Sequence, residues 1–108
     1  MLRESGIRKN IVESESIYKK LSDKHPHHAG IWYGLARSTS LLEEFELSLV
    51  ALKKAIEFGY WWSADNGAKM LERPELEPLR KAKPDEINEL RKTLDDQLAK
   101  RLAKKEEL

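Results

Sequence analysis

Cysteine is absent from this chain of 108 residues, which rules out disulfide frameworks, thiolate chemistry and cysteine-based zinc sites. Glycine and proline are scarce, at five and four residues, and no Asn-Gly or Asp-Gly turn separates alternating apolar runs. A β-rich fold is excluded on those grounds. No apolar run approaches the roughly 20 residues of a membrane span, and the opening Met1-Leu2-Arg3-Glu4-Ser5 has no signal-peptide core. From these absences a soluble, cytoplasmic protein is expected. Charge of one sign is missing too, since 20 basic residues face 19 acidic ones and the two are mixed along the chain. The densest basic stretch, Lys100 to Lys105, is flanked by Asp95-Asp96 and Glu106-Glu107, so no persistent basic face is built for a phosphate backbone.

What remains is a charged, helix-rich pattern for one domain, 1–108. Ile7, Ile11, Ser14, Tyr18 and Leu21 share one face of a helix over 2–23. Pro26 interrupts it. Helices are then predicted over 29–41, carrying Ile31, Trp32, Leu35, Ala36 and Thr39, and over 45–58, carrying Phe45, Leu49, Leu52, Ala55 and Ile56. The short link Leu42-Glu43-Glu44 makes these two an antiparallel hairpin. Gly59 supplies the left-handed residue that ends the second of them. Ser63 is placed to cap a helix through about Glu72, and Pro74 to Leu79 forms one short helical turn. Pro84 opens a long charged helix whose stripe is Ile87, Leu90, Leu94, Leu98 and Leu102, fraying beyond Leu102. The expected fold is all-α, built of antiparallel hairpins with about five helices, the last capping the molecule.

The 34 residues from Ala29 to Trp62 resemble one tetratricopeptide repeat. Trp32, Leu35, Ala36, Thr39, Ser48, Leu52 and Ala55 fall on the family's pattern, with Thr39 in place of its Tyr and Tyr60 in place of its Pro. Moved back by 34, Ser14, Tyr18, Leu21 and Pro26 fit the second half of a preceding repeat; moved forward by 34, the pattern fails. The resemblance therefore implies a partial repeat or capping helix over 1–24, a full repeat over 29–62, a closing segment over 63–83 and the charged helix over 84–108. Such repeats stack on neighbours, which leaves three expectations: capping within the chain, membership of a longer array, or completion by a second copy in a homo-oligomer.

In the family the first helix of each repeat lines a concave groove for a peptide or partner helix. That assigns the groove to Tyr33, Arg37, Ser40 and Leu41, the residues between the packing positions of 29–41. Tyr and Arg are also common interface anchors. Tyr60, Trp61 and Trp62 form a plug or a second contact patch. The groove helix has no Asn, so the family's clamp for acidic tails is not expected. His25, His27 and His28 lack the further ligands of a structural zinc site, and no catalytic signature is present. The expected protein is a non-catalytic interaction module without cofactor or metal. A structural self-association domain is one alternative, and a nucleic-acid binder using Arg91, Lys92, Lys100, Arg101, Lys104 and Lys105 is another.

Overall fold

Apolar residues spaced by three and four form helices wherever a cap or proline bounds them, and this chain forms five α-helices among its described residues. The computed structural model describes the backbone of residues 2–59 and 69–107 and the side chains of residues 8–59 and 69–100. The helices are α1 (Leu2–Lys24), α2 (Ala29–Leu41), α3 (Phe45–Glu57), α4 (Glu77–Ala82) and α5 (Pro84–Glu107). Two 3-10 turns, Met70–Glu72 and Pro74–Leu76, lead into α4. The predicted helix beginning at Ser63 falls largely outside the described residues, and its described end is the first of these turns. α5 runs as helix past Leu102 to Glu107.

The helix ends follow from local hydrogen bonding. His28 caps α2, its Nδ1 accepting from the Ile31 amide at 3.3 Å, which satisfies one of the free donors of the first turn. After α2, Glu43 adopts φ 62°. Its amide reaches the Ser40 carbonyl at 3.1 Å, and the Glu44 amide reaches the Thr39 carbonyl at 2.8 Å. This pair of bonds is a Schellman motif with glutamate in the left-handed position, where glycine is usual. Glu43 and Glu44 therefore precede α3 rather than forming its first turn, and Glu46 is the first-turn acid. Gly59, at φ 87°, closes α3 as the sequence predicts.

α2 is the centre of the packing, with α1 and α3 against it. Small residues let α2 and α3 approach: Ser48, Ala51 and Ala55 are fully buried, and Ser48 Oγ donates to the Ala36 carbonyl at 2.7 Å. On the α1 side, the close contact is made by Gly34. A β-carbon there would stand 2.4 Å from ring carbons of Tyr18, so only glycine admits the tyrosine ring. The 3-10 turns and α4 cover another side of α2, and α5 packs on α4 and α3. Met70, Leu71, Leu76, Leu79, Ile87, Leu90 and Leu94 complete the core; full burial of each such side chain stabilises by about 2 kcal/mol. Arg80 fastens this closing layer, donating from Nη1 to the Leu71 and Arg73 carbonyls at 2.9 and 2.8 Å.

Candidate interaction surfaces

Of the four residues predicted to line a groove, Tyr33 and Ser40 are buried, at 1% and 0% exposure. The Tyr33 hydroxyl donates to the Met70 carbonyl, and Ser40 Oγ accepts from the Leu79 amide at 3.2 Å. Both therefore belong to the core of this chain, because its own residues 70–79 occupy the face of α2 that a groove would need. Arg37 lies at the edge of this contact. Its guanidinium sits 5.4 Å from the Tyr33 ring centroid, and Nη1 is 3.9 Å from Glu75 Oε1. Leu41 is exposed, at the end of α2. The four residues do not form one open surface. Tyr60, Trp61 and Trp62 lie outside the described residues.

Two of the three histidines have structural side-chain partners. His28 is the cap of α2, and His27 meets the edge of Phe58 with ring centroids 5.0 Å apart. The Trp32 indole N–H donates to the Pro26 carbonyl at 2.7 Å, while Lys54 Nζ stands 5.7 Å from the Trp32 ring and 5.9 Å from the Phe58 ring. Together these contacts tie the α1–α2 loop to the end of α3. Among the described residues, no group of three or more His, Cys, Asp or Glu is placed to hold a metal ion, and no helix is long and apolar enough to cross a membrane.

Two carboxyls converge where α1 meets the α2–α3 link. Glu15 is buried and its Oε1 pairs with Lys19 at 2.9 Å. Glu15 Oε2 is also buried, and no ordinary donor reaches it. The neighbouring Glu44 has its pKa raised, first by its hydrogen-bonding interaction with Glu15, with burial and the Glu15 charge adding and Lys19 opposing. Burial acts to raise Glu15 as well, but hydrogen bonds from Glu44 and Lys19 outweigh it and hold Glu15 below its ordinary value. This pair went unread in the sequence; its signal is Glu15 standing one turn after Ile11, on the apolar side of α1.

Open surfaces among the described residues include one on α1 and one between α3 and α5. The first is a face of α1. Ser14 and Leu21 are half-buried there, and Ile17 between them is 57% exposed. Adding 34 to each number gives Ser48, Ala51 and Ala55, all of them 0% exposed. Ser48 of the α3 stripe bonds to α2, whereas Ile17 in the matching α1 stripe stays exposed. The second is a groove of about 400 Å³ between α3 and α5. Ile56 and Leu90 form its floor, and Lys53, Glu57, Glu86, Glu89, Thr93 and Gln97 its walls. Compared with protein-family models, curated proteins and solved structures, the chain matches none.

Proposed function

We propose that this chain is a non-catalytic helical interaction module of tetratricopeptide type that holds a partner helix on the open face of α1. The observation carrying this reading is Ile17, a large apolar side chain left exposed at the position where α3 presents the fully buried Ala51. A helix docked there would meet Ser14, Ile17 and Leu21, the first of them matching Ser48, which bonds to α2. Burying the exposed part of one isoleucine contributes about 1–2 kcal/mol, enough to anchor a contact when neighbouring residues exclude water. The 34-residue correspondence supports the repeat assignment, as does the small-residue contact of Ser48 with Ala36. The concave face of the full repeat is not proposed as the site, because Leu76 and Leu79 lie buried over α2.

The test compares Ile17→Asp with Val50→Asp, since Val50 is a similarly exposed apolar residue on the outer side of α3. Light scattering over a range of concentrations reads the mass of each full-length variant. A parent dimer that Ile17→Asp dissociates and Val50→Asp does not would identify the partner helix as that of a second copy. A dimer indifferent to Ile17→Asp would refute the α1 face. If the parent is monomeric, a photo-crosslinking residue at position 17 should capture a discrete protein that the same residue at position 50 does not. Equal capture at both positions would refute it equally.

A further inference from the structure

The groove between α3 and α5 is independent of the α1 face and has a different chemistry. Its floor is apolar, formed by Ile56 and Leu90. Around the rim stand Glu57, Glu86 and Glu89 against a single Lys53, so the lining carries two negative charges in excess. Among the described residues, no ion pair neutralises any of the three glutamates. Two acid–base pairs beside the lining, Lys83 with Glu46 at 3.0 Å and Arg91 with Glu72 at 2.7 Å, satisfy themselves, and Glu86 adds only a smaller attraction to Lys83. The stretch of α5 from Glu86 to Gln97 is about 16 Å long, roughly three helical turns. α3 and α5 run in the same direction here, since Glu46 meets Lys83 near their first turns and Ile56 and Glu57 share the groove with residues farther along α5.

We infer that this groove binds a basic amphipathic helix, with an apolar side chain seated over Ile56 and Leu90 and lysines or arginines facing Glu57, Glu86 and Glu89. An apolar floor with an acidic rim suits a helix-in-groove contact, in which apolar anchors recur at three- and four-residue spacing. The rim charges select the sign of the partner, because unlike charges across an interface steer association and like charges oppose it. An acidic peptide or a phosphate backbone meets repulsion at the same three carboxylates.

The test uses the full chain and a labelled peptide of roughly twelve residues, about three turns, with leucines four apart and lysines elsewhere. A second peptide replaces each lysine by glutamate. Fluorescence anisotropy should show saturable binding of the lysine peptide alone. The triple variant Glu57→Gln, Glu86→Gln, Glu89→Gln should weaken it about tenfold at low salt, since each exposed pair contributes modestly. Reversing the three to lysine should switch the preference to the glutamate peptide. Thr93→Trp, at an exposed wall position, should block the groove while helicity is unchanged. Neutralising three exposed acids away from the groove, Glu13 and Asp23 on α1 and Glu77 on α4, should have no effect. Ile17→Asp should leave the affinity unaltered, which separates this site from the α1 face. If the three distant neutralisations cost as much affinity as the groove ones, or the charge-reversed groove still prefers the lysine peptide, the inference is overturned.

Discussion

Gly34→Ala should destabilise the protein, although alanine is the better helix former by about 1 kcal/mol. The reason is the neighbour. An alanine β-carbon at position 34 would lie 2.4 Å from Tyr18 Cε1 and Cζ and 2.9 Å from Cδ1, well inside van der Waals contact. The ring must swing out or α1 must move away from α2. Overpacking of this kind costs about 1–3 kcal/mol, so the net loss should be up to about 2 kcal/mol after the gain in helix propensity. Urea unfolding followed by helical circular dichroism measures it, and thermal melting should show a fall of several degrees, about 4–8 °C per kcal/mol. The informative comparison is made in a Tyr18→Ala background. With the ring gone, the three nearest atoms to a β-carbon at position 34 are removed, and Gly34→Ala should stabilise by about 0.5–1 kcal/mol. This reversal of sign is the test of the argument. If Gly34→Ala stabilises the parent protein, the close contact of α1 with α2 is not as described.

Two further substitutions probe the α2–α3 link. Glu43→Gly relieves a side chain held at φ 62° and should stabilise by roughly 1 kcal/mol; a lower urea midpoint would contradict the Schellman geometry. Glu44→Gln addresses the interaction of Glu44 with Glu15. Because the Glu44 pKa is raised in the folded state, the folded protein binds more protons just above the ordinary glutamate value, and stability falls as pH rises through that window. The lowered Glu15 acts oppositely, losing stability as pH falls through its depressed value. Urea midpoints between about pH 4 and about pH 8 should therefore decline at the upper side in the parent and stay flatter in Glu44→Gln, whose amide donates to Glu15 at every pH. Identical profiles would show that Glu44 and Glu15 do not interact.

The positions of α1, α2, α3 and α5 were legible because their stripes repeat at helical spacing and because Pro26, Gly59 and Pro84 mark their limits. The closing layer was less so. Its turns are only three residues long, too short for a period, and its shape comes from Pro74 and Pro78 together with tertiary contacts such as Arg80 to the Leu71 carbonyl. The cap by His28 was hidden because histidine is not among the usual capping residues.

The burial of Tyr33 and Ser40 has a more general cause. The spacing of Trp32, Leu35, Ala36 and Thr39 says which side of the helix meets its repeat partner, but not that the other side is free. The composition of α2 carries that second answer. Between Ala29 and Leu41 the one charged residue is Arg37, and a helix with no charged face is one surrounded by protein. Tyr33 and Ser40 belong to that second buried side, and the residues that bury them come 37 and 39 positions later in the chain. α1 gives the opposite result under the same rule. It is densely charged, so most of its outer surface is accounted for as solvated, and Ile17 is an apolar residue its composition does not explain. The absence of a charged face on α2 leads to the closing layer, and the isoleucine interrupting the polar surface of α1 is the exposed apolar residue on which the proposed contact rests.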